Sequence, residues 1–217
     1  MTHLVKINQQ IKDQVDAIIN LIANIDFNIS ALEQFYKDLT ANELLIFDKY
    51  QLLEFLKISL WNSAILNLCI LFNSEEDFGL VKLINTLINN FKRVNFKEKV
   101  TIQDLTLLLE QINHYNGSIK KLKVVRDKAI SHKDHSQEFS AILLSELRVL
   151  TDIAQSVFNK IFTSLYSSDF DWDQKYDKHE LSLIKNLANF EKLRLTISKA
   201  EICKKRAITI NELLTDI

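Results

Sequence analysis

A chain of 217 residues suits one large domain, or one domain with an arm. Its residues are 47% hydrophobic and 25% charged, a composition typical of a folded soluble protein and not of a wholly disordered one. The formal net charge is −1, so the surface as a whole does not attract nucleic acid, and any such binding must depend on a local patch.

The scarcity of turn-forming residues indicates the fold class. The chain has no proline and only two glycines, Gly79 and Gly117, which long helices tolerate but sheets with many tight turns do not. We therefore predict an all-α fold, an up-and-down bundle of five to six long helices joined by short loops. The expected divisions are an N-terminal helical arm at 1–40, a bundle at 41–170, and a C-terminal loop, helix and tail at 171–217.

Three features favour a cytoplasmic protein. The first fourteen residues contain no apolar h-region, so we expect no signal peptide. No run of about 18 apolar residues occurs, so we expect no membrane span. The two cysteines, Cys69 and Cys203, are interpreted as thiols in a reducing compartment.

The first element is a long apolar stripe with alternating spacings of four and three residues. This pattern predicts one long helix or two nearly collinear ones. A stripe of this length exceeds what one bundle covers, so we expect self-association, although the helix could equally pack on its own chain. The stripe consists of Leu4, Ile11, Val15, Ile18, Ile22, Ile25, Ile29, Leu32, Tyr36 and Leu39.

Capping patterns mark helix starts downstream, because a hydroxyl or carboxylate satisfies free N–H groups in the first turn. They are Thr40 with Glu43, Ser74 with Asp77, and Thr101 with Asp104. The helices expected after them cover 52–72, 80–94 and 105–130, and two more cover 139–166 and 178–205. The helix at 52–72 is apolar around most of its circumference, so we expect it to be central and buried.

The helix expected at 105–130 contains an arginine inside its apolar stripe. The stripe consists of Leu105, Leu108, Ile112, Tyr115, Ile119, Leu122, then Arg126, then Ala129. A charged group there is costly unless it is paired or faces a wet cavity. Arg126 is therefore either paired with a buried carboxylate, extended to solvent at the end of the bundle, or part of a shared site.

His132 follows this arginine six residues later, and the two side chains can come together if the helix ends between them. Six residues turn an α-helix by about 600°, which would leave Arg126 and His132 roughly 120° apart. If the helix ends near Ser131, the chain can turn His132 back toward Arg126. Asp134 and Gln137 have the spacing of an N-cap and its third position, which favours such a break.

Arg126, Asp127 and His132 resemble the signature of the HEPN superfamily, an arginine and a polar residue followed by a histidine four to six positions after the arginine. The phrase LKVVRDKAISHKD is most similar to the abortive-infection (AbiU-type) group, and LWNSAILNLCILF resembles its central helix. The resemblance covers residues 45–165. Ser131 replaces a commoner alanine. Asp134 stands where some HEPN toxins paired with a nucleotidyltransferase have tyrosine, which argues against that form of control.

The resemblance implies a metal-independent ribonuclease without a cofactor, active as a homodimer in phage defence or as a toxin. Its catalytic residues would be Arg126, His132 and Asp127. RNA would be the substrate, and an antitoxin or another defence-system protein a further partner.

A local basic patch is consistent with RNA binding. Between Lys120 and His135, six lysine or arginine residues face two aspartates, although a solvated helix surface accounts equally well for part of this charge. The expected phosphate-binding residues are Lys120, Lys123, Lys128 and Lys133.

The sequence also contains a pattern of acids in its C-terminal third. The acids of 169–180 have the spacing of a calcium loop, but Gln174 occupies the position that requires glycine, so an acidic connecting loop pinned by Phe170 and Trp172 is favoured. No Cys/His spacing suggests zinc, and no glycine-rich loop suggests nucleotide hydrolysis. The alternative functions are a HEPN-like module that binds RNA or nucleotide without cutting, and a helical protein-interaction module.

Overall fold

The computed structural model describes residues 3–36, 51–127 and 142–172, and every regular element within them is helical. The elements are α1 (His3–Tyr36), α2 (Gln51–Leu71), α3 (Leu80–Asn89), a 3-10 helix (Phe91–Arg93), α4 (Ile102–Asn113), α5 (Asn116–Val125) and α6 (Leu144–Tyr166). The all-α prediction is confirmed for these residues.

Chain contacts divide the protein into two compact units. One contains Met1–Gln34 and Phe55–Tyr176, and the other contains Phe35–Glu54 and Asp177–Ile217. The boundaries predicted at residues 40 and 170 remain predictions. The cap expected at Thr40 and Glu43, the break expected at Asp134, and the helix expected at 178–205 lie outside the described residues.

The apolar stripe of α1 is buried in the core of its own chain. Seven residues at alternating four- and three-residue spacings are 4% exposed or less, as the period predicts. They are Ile11, Val15, Ile18, Ile22, Ile25, Ile29 and Leu32. They belong to the same core as side chains of α2 to α6, so burial of this stripe needs no second copy.

The expectation that α2 is buried all round is wrong for its first half. From Trp61 onward the helix contributes to the core, with Ile65, Leu68 and Cys69 almost fully buried. Nearer its start, Phe55 is 68% exposed and Ile58 is 49% exposed. A helix that is apolar on all sides has no preferred face. Its sequence therefore does not indicate which of its residues the neighbouring elements cover.

Helix α3 begins after Gly79, and the cap predicted at Ser74 and Asp77 is therefore wrong. The Asp77 carbonyl instead accepts a hydrogen bond from Gln14 Nε2 at 2.7 Å. A Cβ atom on Gly79 would lie 2.6 Å from the Asn73 carbonyl oxygen. This turn is therefore fixed by a close approach of backbone to backbone, which only glycine permits.

The helix predicted at 105–130 is divided into α4 and α5 by a turn at His114 and Tyr115. The ring Nδ1 of His114 donates to the Glu110 carbonyl oxygen at 2.7 Å, beside the backbone N–H of His114, which donates to the same oxygen. The low helix propensities of asparagine and glycine explain a break here, since Asn113, Asn116 and Gly117 surround the turn. The apolar stripe continues across it.

The cap predicted at Thr101 and Asp104 is confirmed as a reciprocal capping box at the start of α4. The Asp104 backbone N–H donates to Thr101 Oγ1 at 3.1 Å, and the Thr101 N–H donates to Asp104 Oδ2 at 2.8 Å. The Thr101 hydroxyl also donates to Asp104 Oδ2 at 2.7 Å, and this bond, followed by the one from the Thr101 N–H, lowers the pKa of Asp104. The start of α4 is therefore fixed by its own residues.

The prediction that Phe170 and Trp172 pin the segment after α6 is confirmed. Both rings contact Phe158 of α6, with centroids 6.3 Å and 5.6 Å away. Trp172 Nε1 also donates to Asn159 Oδ1 at 3.1 Å. Of the acids in the calcium-loop pattern, the described Asp169 accepts from Thr163 Oγ1 at 2.6 Å.

Two described helical stretches, Lys6–Phe35 and Leu53–Leu71, are long and apolar enough to cross a membrane by length and composition. The core helix of a soluble protein passes the same test, and half of the α1 stretch is buried against its own chain. The expectation of a protein without a membrane span remains a prediction.

The two glycines provide a matched test of the α2–α3 turn. Gly79→Ala should lower the free energy of unfolding by about 2 kcal/mol, because the added methyl group meets backbone that cannot move aside. Gly117→Ala should raise it by up to about 1 kcal/mol, because a Cβ there meets nothing within 4 Å and alanine favours the helix. Urea unfolding followed by circular dichroism measures both. Equal effects would contradict the close approach.

Candidate functional site

The candidate site begins where α5 ends. Arg126 and Asp127 follow Val125 in a π-helical turn, a rare, widened geometry that is frequent at functional sites. The buried stripe residues before it, Ile119 and Leu122, hold α5 against the core. The structure thus places Arg126 at the end of the apolar stripe and at the margin of the core.

Arg126 is paired with its neighbour. Its Nε donates to Asp127 Oδ1 at 2.7 Å, and one terminal guanidinium nitrogen lies 2.6 Å from the same oxygen. The side chains of Arg126 and Asp127 are 31% and 53% exposed, so the pair remains open to solvent. The Asp127 carboxylate raises the pKa of Arg126, which keeps the guanidinium charged. The alternative of an ion pair with a buried carboxylate is not what the described residues show.

A buried thiol lies near this pair. Cys69 of α2 is 1% exposed, and burial raises its pKa to about 11. The charges of Arg126 and Lys123 partly oppose that rise in pKa, while Asp127 adds to it. Cys69 is therefore a neutral core residue at physiological pH, as expected of an unreactive structural cysteine.

The structure describes two of the four lysines that are expected to bind RNA. Lys120 is exposed and Lys123 is half-buried, both on α5. His132, Lys128 and Lys133 lie outside the described residues, so the distance between His132 and Arg126 is not described. The structure therefore places Arg126, Asp127, Lys120 and Lys123 on one helix and its terminal turn.

Lys121, in the same basic run, has a structural role. Its Nζ lies 2.8 Å from Glu146 Oε2, which also accepts from the backbone N–H of Leu143 at 2.7 Å. The Lys121 hydrogen bond is the largest cause of the lowered pKa of Glu146. The ion pair thus joins α5 to the start of α6 and gives Lys121 a partner within the protein.

Sequence reasoning missed the extensive network around Arg148. Arg148 of α6 donates from Nε and from a terminal nitrogen to Glu33, both at 2.8 Å, and also donates to Ser30 at 2.9 Å. It makes a further ion pair with Asp26. These three partners are spaced i, i+4 and i+7 on α1, beside the buried stripe. A polar row next to an apolar stripe was the signal available in the sequence.

Within the described ranges, no group of three or more histidine, cysteine, aspartate or glutamate side chains could hold a metal ion. No family model, curated protein or solved structure matches the chain. The candidate site is therefore identified from its own residues and from the sequence resemblance alone.

The two arginines should differ in their effect on stability. Arg148→Met should lower the free energy of unfolding by about 2 kcal/mol, because Asp26 and Glu33 lose a partly buried cation. Arg126→Met should cost less than about 1 kcal/mol, because its pair with Asp127 is largely solvated. Urea unfolding of both variants tests this. A larger loss for Arg126→Met would give that arginine a mainly structural role.

Proposed function

We propose that the protein is a metal-independent HEPN-type endoribonuclease whose site combines Arg126 and His132 from two copies of the chain. The observation that carries the proposal is a charged, partly exposed guanidinium held at the end of α5, where an apolar stripe would otherwise continue. Arg148 donates to side chains of α1, whereas the Arg126 guanidinium pairs with the adjacent Asp127 at a position open to solvent. The biological role proposed is phage defence by abortive infection, or toxicity.

The chemistry requires few protein groups because RNA carries its own nucleophile. The ribose 2′-oxygen attacks the adjacent phosphorus while His132 accepts its proton. The bond from phosphorus to the 5′-oxygen breaks, and that oxygen leaves with a proton from the second His132. The products are a 2′,3′-cyclic phosphate and a 5′-hydroxyl.

Arg126 would stabilise the pentacoordinate phosphate. Its planar guanidinium donates to two phosphate oxygens, and its charge offsets the negative charge that develops there. A shared site brings two guanidinium groups together, which repel each other unless an anion lies between them. Asp127 supplies such an anion before RNA binds, and at 2.7 Å it also fixes the direction of Nε.

Basic side chains on the same helix support RNA binding at this end of α5. Lys120 and Lys123 contribute positive charge within two turns of Arg126, and neither forms an ion pair with a described residue. Lys128 and Lys133 would extend the patch. A cluster of this size neutralises several phosphates and makes the affinity fall with salt.

A second candidate function is favoured by the Arg126–Asp127 pair itself. An arginine already satisfied by its neighbour is suited to holding RNA or a nucleotide without cutting it, or to a contact with another protein. In either form, we propose a cytoplasmic homodimer. An antitoxin or another defence-system protein would be a further partner.

Cleavage in excess chelator tests the enzyme proposal. Purified protein should cut RNA to cyclic-phosphate ends, and Arg126→Ala and His132→Ala should each lower the rate at least about 100-fold, as loss of a transition-state contact or a general base does. Arg93→Ala and His114→Ala are matched controls, since both side chains are exposed and lie elsewhere in the chain. Their rates should be unchanged.

Two results would contradict the proposal. Unchanged cleavage in both site variants would exclude Arg126 and His132 from catalysis. Full activity of a strict monomer in sedimentation velocity experiments would exclude a site shared between copies. Salt-dependent RNA binding with no cleavage would favour the second candidate.

A further inference from the structure

The outward face of α2 carries no charge over most of the helix. Residues 58–74 form a run of seventeen without lysine, arginine, histidine, aspartate or glutamate. One side of this run packs in the core through Ile65 and Leu68, whereas Leu66 between them is 37% exposed. The outward face of a surface helix is normally polar or charged, and depletion of charge is typical of the centre of a protein–protein interface. This face of α2 therefore has the composition of a surface that a partner covers.

The side chains on this face follow the period of one helix side. The α2 row consists of Phe55, Ser59, Asn62 and Leu66, at spacings of four, three and four residues, and the exposed Ile58 flanks it. At 3.6 residues per turn, the four side chains of the row lie within about 60° of one another. Phe55 and Leu66 are exposed, and Ser59 and Asn62 are half-buried. Alternating spacings of four and three residues are those of a seam along which two helices pack.

The polar centre of the α2 row is complementary to a copy of itself. Among the described residues, neither Ser59 nor Asn62 has a side-chain hydrogen bond. An amide and a hydroxyl each carry a donor and an acceptor, so each can pair with the same groups of a second copy related by a two-fold axis. An asparagine within an apolar seam also fixes the register between identical helices.

The C-terminal half of α2 lies beside the candidate site. Burial raises the pKa of the Cys69 thiol, and the charge of Arg126 partly opposes that rise, so the two groups are near each other. Besides the hydrogen bond from Asp127, the charge of Glu76 in the turn after α2 also raises the pKa of Arg126. Cys69 follows Leu66 by three residues, which is less than one helix turn. A molecule packed along the α2 row would therefore reach the margin of the Arg126 site.

We propose that the α2 row is the surface through which two copies of this chain associate, with α2 of one copy packed against α2 of the other. The choice of occupant rests on the proposed function, because a site that needs Arg126 and His132 from two copies is incomplete without a dimer. The stripe of α1 is buried within its own chain, so α2 supplies the apolar contact between copies. The same contact brings the two Arg126 side chains to the margins of one interface.

Two other occupants fit this face less well. A membrane surface attracts a helix through basic side chains, and the α2 row has none. The stretch Leu53–Leu71 is apolar enough to cross a membrane by length and composition, but Ile65 and Leu68 on its opposite side are already buried in the core. A charged segment of another protein would meet no counter-charge on this face. A second copy brings neither problem.

Sedimentation velocity of the full chain without RNA measures this association directly. The wild type should be a dimer, and Phe55→Glu and Leu66→Glu should each raise its dissociation constant at least about 100-fold, because each variant buries two unpaired carboxylates in a two-fold interface. Ile102→Glu and Leu107→Glu are matched controls, since both side chains are exposed on α4 and lie outside the α2 row. Their dissociation constants should equal that of the wild type.

The interface and the proposed function can fail separately. A monomeric wild type would overturn the interface, and so would α2 variants that are as dimeric as the wild type. Flotation of a monomeric wild type with phosphatidylglycerol vesicles would assign the face to a membrane instead. A dimer that is lost in the α2 variants but never cuts RNA would support the interface and contradict the nuclease. Circular dichroism of each variant shows whether its monomer is folded, and Phe55→Glu, at the more exposed position, disturbs the core least.

Discussion

The continuous burial of one face of α1 is the constraint on which the other helices depend. From Ile11 to Leu32 the spacing alternates between four and three residues, so the buried side chains stay on one side for about six turns. Full burial of each such side chain contributes about 1.5–3 kcal/mol, which makes this face the largest single source of cohesion along the helix. The neighbouring row of Asp26, Ser30 and Glu33 then receives Arg148 and fixes how α6 lies beside α1. The apolar face stabilises the contact between the helices, and the charged network beside it fixes the register of α6 against α1.

Local signals were predictable from the sequence, whereas features set by distant contacts were not. The Thr101–Asp104 box depends on residues three apart, and it was found because the whole interaction is contained in one helix turn. The Ser74–Asp77 pair has the same pattern and does not cap, since Gly79 is required where the backbone of Asn73 approaches. The same limit applies to α2, whose apolar residues predict burial without indicating that Phe55 is exposed while Leu53, two residues earlier, is buried.

The candidate site shows the same division between local and distant signals. The sequence predicted the stripe that leads to Arg126, and its aliphatic residues from Leu105 to Leu122 are buried as expected, because the period is a property of one helix. Its signal for Arg148 was weaker, a polar row beside the stripe of α1, because the partners of this arginine are more than a hundred residues earlier in the chain. Packing separates the two arginines, because acids of α1 surround Arg148 whereas Arg126 lies at the margin of the core. A charged residue inside an apolar pattern is thus a candidate for function only once its partners are known.

The positive charge on α5 is local. At the end of α5, Arg126 is accompanied by Lys120 and Lys123, although the chain as a whole carries a formal charge of −1. Under the proposed function, salt should weaken a polyphosphate ligand there steeply, because the number of counterions released follows the number of phosphates neutralised. Lys121 belongs to the same basic run but is paired with Glu146, so the charge available to a ligand depends on the acids placed around each lysine and not on the lysines alone.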